Sequence, residues 1–366
     1  MTADTLGGVW TYALELARSL APHGAEVMLA SMGSRLSGEQ RAEARSIPNL
    51  AVCESSFKLE WMEDPWQDVR AAGEWLLDLE RLLKPDVVHL NGYAHGALDW
   101  QSPALIVAHS CVLSWWKAVK KAPAPASWER YRYEVARGIQ TASMLVAPTR
   151  AMLDSVAEHY GAASDMRVIP NGRDCAPFRR SRKERIVFAA GRMWDEAKNL
   201  ETLERASHLL GWPVYVAGEL QHPQGRMARP SGLRTLGHIS SPDMAEWLSR
   251  ASIYALPARY EPFGLSILEA ALCECALVLG DIDSLRENWE GAALFVSPDD
   301  SQALREALEY LMRDTTRRKA LAARARFRAL ELSSERMAAC YISAYADLMA
   351  GRALGEETGK ERASCA

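Results

Sequence analysis

The sequence predicts an α/β protein of two successive doubly wound domains, and three observations carry that reading. The chain has 366 residues, more than one hydrophobic core ordinarily serves. Helical segments alternate with short, continuous apolar runs, the pattern of parallel strands covered on both faces. After a stretch rich in Pro, Gly and Arg at 167–185, the same alternation starts again.

The first domain begins abruptly. A Gly7-Gly8 turn is followed by a helical pattern over 9–21. Such a turn normally follows a buried strand, so either the first strand is very short or residues upstream are missing. A strand is expected over 25–31 and a helix over 66–83, stopped by Pro85. Two short apolar runs, 86–92 and 104–110, read as buried strands. A helix over 128–142 then leads into a strand over 143–149. In the second domain, strands are expected at 185–191, 213–219, 233–237, 251–258, 275–281 and 293–298, most of them separated by helices. The domains are therefore 1–168 and 169–333. A last helix, 334–352, carries apolar residues on more than one face and is expected to return to the first domain. Residues 353–366 are expected to be disordered.

Composition narrows the class. With 48% hydrophobic and 25% charged residues, the chain reads as an ordinary soluble globular protein. A formal net charge of -4 gives no overall attraction to nucleic acid. Seven cysteines form an odd set without metal-ligand rhythm, and Cys273 and Cys275 are too close for the common zinc spacings. No apolar run approaches a membrane span and no signal peptide is evident. A cytoplasmic location is expected, with peripheral contact at the inner face of the membrane left open. No metal and no resident cofactor are expected.

The stretch with the clearest chemistry is ARYEPFGLSILEAALCE, residues 258–274. It reads as a strand end, a Pro-Phe-Gly turn and a helix start. Pro262 biases Glu261 toward extended backbone, which places the carboxylate at the C-terminal edge of a parallel sheet, where open α/β sheets bind ligands. The helix that follows offers unpaired N–H groups suited to a phosphate. Glu269 lies just inside that helix. Carboxylates repel phosphate but accept hydrogen bonds from vicinal hydroxyls. The arrangement suits a nucleotide sugar, with diphosphate at the helix start, one glutamate on the ribose and the other on the hexose. As a bare spacing, two glutamates eight apart are usually solvated.

This stretch resembles the E-x7-E signature of the family 4 retaining glycosyltransferases. That family has the GT-B fold, two Rossmann-like domains facing each other across a cleft. Other segments agree in order and spacing: GGVWTYALELARSLAPHGAEV with the opening glycine loop, helix and strand, RVIPNGRD with the linker, and AAGRMWDEAKNLETL with the phosphate-clamp segment. The resemblance implies that Arg192 and Lys198 neutralise the donor diphosphate, with Asn199 capping the next helix. Glu269 would accept the ribose hydroxyls. Glu261, with the backbone of Phe263, Gly264 and Leu265, would hold the hexose and its phosphate. Gly7 and Gly8 would let the first loop approach phosphate or acceptor. His109 would hydrogen-bond the donor sugar, with His89 and His95 as fainter acceptor contacts. The implied reaction is transfer of a hexose from a UDP- or GDP-sugar to a hydroxyl of a glycan, glycolipid or small molecule, by front-face substitution without a metal.

Some positions depart from the family pattern. Arg173 stands in the linker where a small apolar residue is common. Ser284, Leu285 and Glu287 fill a loop that is usually Gly-Gly-x-x-Glu, with Asp281 and Asp283 adding acidity. Segment 112–137 carries six Lys/Arg, two Glu and the aromatics Trp115, Trp116, Trp128, Tyr131 and Tyr133. It suits an anionic membrane surface, a stacked sugar acceptor, or equally a solvated helix flanked by core aromatics. Rival readings are a nucleotide-sugar epimerase or hydrolase on the same fold, and a catalytically silent nucleotide-sugar binding protein. A dinucleotide oxidoreductase is disfavoured, because no G-x-G-x-x-G follows a first strand and the stretch 218–225 is no substitute.

Overall fold

A computed structural model describes residues 1–221, 225 and 230–364, with side chains as far as residue 351. Residues 222–224, within the 218–225 stretch weighed above, and Cys365 and Ala366 of the expected tail lie outside the described residues. The chain divides into two compact units: Met1–Ser114, Pro123–Pro170 and the chain from Ser334 onward form one, and Trp115–Ala122 with Asn171–Ser333 the other. Residues 115–122 thus belong to the second unit, although their place in the sequence assigned them to the first.

In the first unit, β1 (Thr2–Asp4), β2 (Val27–Met32) and β3 (Leu50–Glu54) form one parallel ladder in the order β1-β2-β3. A second parallel ladder runs β4 (Val88–Leu90), β5 (Ala104–Val107), β6 (Met144–Ala147) and β7 (Met166–Val168). The strand before the glycine turn is present, three residues long. A single ladder does not run through this unit. Asn91, just past β4, joins the two edges instead: its backbone N–H donates to Thr2 Oγ1 at 2.8 Å and its Nδ2 to the Thr2 carbonyl at 2.7 Å. The β5 and β6 side chains Leu105, Ile106, Leu145 and Val146 are fully buried, as continuous apolar strands covered on both faces require.

Helix Gly8–Leu20 buries Trp10, Tyr12, Leu14 and Leu16. Tyr12 meets Tyr341 of the last helix, ring centroids 6.2 Å apart. That helix runs Ser334–Ser364, past the expected end at 352. Helix Trp66–Leu83 stops where Lys84 turns left-handed, φ 48°, ahead of Pro85. The proline forbids continuation and disfavours helical backbone at the residue before it.

The second unit carries one six-stranded sheet. Its strands are β8 (Glu184–Ala190), β9 (Val214–Ala217), β10 (Arg234–Gly237), β11 (Ala251–Leu256), β12 (Ala276–Gly280) and β13 (Ala293–Val296). The order is β10-β9-β8-β11-β12-β13 and each pairing is parallel. Successive residues serve opposite faces. Phe188 and Tyr254 join Ile267, Leu268 and Trp289 in one core, while Val187 and Ile253 join Val216, Val278, Leu304 and Leu308 in the other. Burying each such side chain contributes about 1.5–3 kcal/mol.

Strand order reverses direction between β8 and β11. This is the topological switch point, where the loops leaving two neighbouring strands part and open a crevice. Close approach of loops at the same sheet edge requires Gly218, φ 119°, where a Cβ would lie 1.9 Å from the Gly191 carbonyl oxygen.

Candidate active site

The loops that leave β8 and β11 carry the candidate residues, and the switch point brings them together. After β11 the chain turns through Gly264, φ 87°, into helix Leu265–Leu272. A side chain at Gly264 would run into Ile267, its Cβ 2.5 Å from Cδ1, so this entry to the helix needs glycine for both conformation and space. Glu261 is fixed at two points. Its carbonyl accepts from Ser284 Oγ at 2.6 Å, and its Oε1 lies 3.5 Å from the Phe263 N–H donor. The Phe263 ring is buried in the core, which leaves its backbone for any ligand role.

Lys198, from the loop after β8, is ion-paired through Nζ with Glu261 Oε2, both side chains 12–13% exposed. Two residues expected to act on different parts of a ligand therefore neutralise each other. The loop around Lys198 is cross-braced. Asp195 caps the short turn Glu196–Lys198 by accepting from the Ala197 N–H at 2.9 Å. Its Oδ1 also accepts from Trp115 Nε1 at 2.9 Å, and Arg192 Nη2 lies 3.7 Å from its Oδ2. The Arg192 guanidinium sits over the Trp194 ring, 5.5 Å from its centroid. Lys120 pairs with Glu196 at 2.6 Å. Lys121 at 2.6 Å and Arg259 at 2.8 Å share Asp299, and their hydrogen bonds hold its carboxyl below the usual range.

Asn199 occupies the position before helix Leu200–Ser207 with left-handed backbone, φ 58°, but its side chain makes no cap. Its Nδ2 donates instead to the carbonyls of Pro257 at 2.9 Å and Pro298 at 2.5 Å. Asn199 thereby ties the loops after β8, β11 and β13 together, a different job from the capping that its sequence position implied.

Glu269 lies in the helix that Gly264 opens and is buried. Arg173 Nη2 approaches its Oε1 at 3.0 Å. Where the resemblance implied a loop after the signature, residues Asp283–Trp289 form a helix. Asp281 is gripped by Arg286, with Nη2 to Oδ2 at 2.8 Å, and this bond lowers its pKa. The guanidinium sits over the Phe295 ring at 4.6 Å. One of the two added acids, Asp281, is thus matched by a local base, which it shares with Glu290 at 2.6 Å.

Gly7, Gly8 and His109 belong to the first unit. Gly7, φ 97°, precedes helix Gly8–Leu20, consistent with a loop that needs glycine. His109 follows β5. Its Nε2 lies 2.8 Å from Asn91 Oδ1 and its ring packs edge-on to Tyr12, centroids 4.4 Å apart. Burial pushes its pKa down to about 3, so the ring is neutral near pH 7. His89 is buried with Nδ1 2.7 Å from Tyr345 Oη and Nε2 3.3 Å from Tyr12 Oη. His95 Nε2 meets the Val69 carbonyl at 2.9 Å. Both are satisfied core histidines, which removes the geometric case for them as acceptor contacts.

Segment 112–137 holds no continuous helix. Helix Val112–Trp115 passes into a π-turn at Trp116–Lys120, and helix Glu129–Thr141 buries Tyr131, Val135 and Ile139. Among the described residues no helix is long and apolar enough to cross a membrane. Asp195 is a site residue that sequence alone does not single out, whereas Trp115 and Ser284 were singled out for other roles than the hydrogen bonds they make to Asp195 and Glu261. Asp195 was visible within the GRMWDEAKN segment, but its convergence with Trp115 depends on a chain separation of 80 residues.

The model for Glycosyltransferase Family 4 matches residues 6–176, and that for Glycosyl transferases group 1 matches residues 184–314. The chain belongs to the family 4 glycosyltransferases. Solved structures show that this family 4 glycosyltransferase has the GT-B fold. It is similar to sucrose-phosphate synthase from Thermosynechococcus elongatus, TM-score 0.76 at 19% identity over 94% of each chain. It is also similar to Anabaena HepE in complex with UDP-glucose, TM-score 0.75 at 16% identity, over 93% of this chain and 96% of that one. Glycogen synthase of Mycobacterium tuberculosis is 28% identical over 287 residues, 68% of this chain. The match spans 66% of the synthase, just under two thirds of its length.

Proposed function

We propose that the chain transfers a hexose from a nucleotide-diphosphate sugar to a hydroxyl of a glycan, glycolipid or small-molecule acceptor, with retention at the anomeric carbon. The observation that carries this reading is the Lys198–Glu261 pair at the switch point, beside the start of helix Leu265–Leu272. A diphosphate brought there exchanges with Glu261 for Lys198. The freed carboxylate then accepts hydroxyls of the hexose, and Glu269 accepts those of the ribose. Each charge-assisted hydrogen bond is worth roughly 1.5–3 kcal/mol. The complex of HepE with UDP-glucose supports a donor of this chemical class.

In this mechanism Arg192, Lys198 and the N–H groups that open the helix stabilise negative charge on the departing diphosphate. The bond from the anomeric carbon to the diphosphate oxygen breaks as the acceptor oxygen bonds on the same face. The leaving phosphate takes the acceptor's proton. Neither Glu261 nor Glu269 serves as a nucleophile, because both hold hydroxyls. The positive charge comes from this chain's own groups, and no step is assigned to a metal ion. His109, neutral near pH 7, acts by hydrogen bonding rather than proton transfer.

A thermal-shift series with UDP-glucose, GDP-mannose, ADP-glucose and dTDP-glucose tests the donor assignment, with E269Q alongside wild type. One nucleotide sugar is expected to raise the wild-type melting temperature, and E269Q to lose most of that rise. A folded wild type that responds to none of them sinks the reading. Retention is checked by the anomeric coupling constant of the first product, measured by NMR.

A further inference from the structure

Arg173 is the clearest departure from the family's linker, and its side chain ends at a residue of the proposed donor site. Its Nη2 lies 3.0 Å from Glu269 Oε1, and the two side chains are only 12% and 11% exposed. The guanidinium also packs over the buried Phe178 ring, 5.1 Å from its centroid. The backbone is held as well: the Arg173 N–H donates to the Leu332 carbonyl at 3.1 Å, and residue 173 bridges to Ser333. Backbone anchor and aromatic shelf together fix where the guanidinium lies.

We propose that Arg173 is a positioning residue for donor binding, holding the Glu269 carboxylate charged and oriented so that it accepts the ribose hydroxyls. The proposal rests on the nucleotide-sugar reading above. A carboxylate this far from water needs a counter-charge to stay ionised. A small apolar residue at 173 gives it none. Ionised, it accepts from two vicinal hydroxyls; protonated, it loses acceptor capacity and gains a donor that the site has no use for. Arg173 therefore extends the pH range over which the donor is held. A guanidinium suits the task because it does not deprotonate in any working range.

The test is titration calorimetry from pH 6 to pH 8 with UDP-glucose, GDP-mannose and ADP-glucose, whose diphosphates do not titrate in that range. Wild type, R173M and R173K are compared on the full chain, and R173Q replaces R173M should the latter fail to fold. Wild type is expected to bind one donor with nearly constant affinity. R173M is expected to weaken about tenfold or more from pH 8 to pH 6, as Glu269 takes up a proton, and R173K to restore the flat profile. An R173M that binds as wild type across the range overturns the proposal. So does a loss equal at every pH and not recovered in R173K, which is what a merely structural role produces. A wild type that binds none of the three nucleotide sugars removes the functional reading and this inference with it.

Discussion

Trp115 donates its indole N–H to Asp195 at 2.9 Å, joining residues 80 positions apart in sequence. Asp195 in turn caps the turn that carries Lys198 and lies beside Arg192. Trp115 thus acts on the proposed phosphate-binding loop without belonging to it. The W115F substitution keeps an aromatic ring and removes the donor. A lost hydrogen bond to a carboxylate costs roughly 1.5–3 kcal/mol, so the donor KM is expected to rise about tenfold while kcat changes less. Steady-state kinetics with the donor found by thermal shift checks this, and an unchanged KM would show that the loop holds its shape unaided.

The Lys198–Glu261 pair predicts a non-additive stability pattern. Removing one member of a largely buried ion pair strands the other, at a cost of roughly 3–5 kcal/mol, whereas removing both is far milder. The double variant K198M/E261Q is therefore expected to lose less stability than the sum of the losses in K198M and E261Q alone. Urea denaturation of the four proteins measures the coupling directly. An additive cycle would mean that the pair is not formed in solution. All three variants are expected to lose transfer activity by about a hundredfold or more.

His109 predicts a pH dependence of stability. Burial lowers its folded-state pKa from 6.5 to about 3, so below pH 6.5 the unfolded chain binds a proton that the folded chain does not. Its stabilising contribution is complete above pH 6.5 and falls away as pH drops toward 3. The loss is about 1.4 kcal/mol per pH unit at most for one histidine. His89 and His95, also lowered by burial, act in the same sense. H109Q is expected to shallow the decline in unfolding free energy between pH 6.5 and pH 4.5. A decline identical to wild type would place the His109 ring in water.

Gly218 predicts a steric limit at the sheet edge. With φ 119° and a would-be Cβ 1.9 Å from the Gly191 carbonyl oxygen, G218A forces the loops after β8 and β9 apart. A cost of about 1–3 kcal/mol is expected, together with weaker donor binding, because Gly191 adjoins Arg192. Chemical denaturation and the calorimetric titration report the two effects separately. Wild-type stability in G218A would mean that the backbone relaxes freely there.

Sequence reading recovers the core strands well because each is a continuous apolar run, ALIV at 104–107 and ALVLG at 276–280 among them. It misses β3, which lies at a sheet edge with much of its surface exposed, and β7, three half-buried residues at the start of a stretch that resembles a linker. Helix Gly38–Arg45 is missed for the same reason, since it buries Ala44 and little else. At the site, the E-x7-E spacing brings out Glu261 and Glu269, and GRMWDEAKN brings out Arg192 and Lys198. What stays illegible is the pairing. That Lys198 meets Glu261 and Arg173 meets Glu269 depends on strand order and loop path, which no local pattern encodes. The assignment of 115–122 to the second unit is hidden in the same way.

The last helix, Ser334–Ser364, belongs to the same unit as β1 and helix Gly8–Leu20. During synthesis the ribosome releases the 171–333 sheet before it releases that helix, and chains acquire structure as they emerge, domain by domain. The unit begun first is therefore finished last. Until Tyr341 and Tyr345 arrive, Tyr12 and His89 lack the partners that surround them in the finished protein. A nascent chain stalled at residue 333 would carry a completed second sheet beside a first unit with an open aromatic seam, and so a binding surface for chaperones that full-length chains close for themselves.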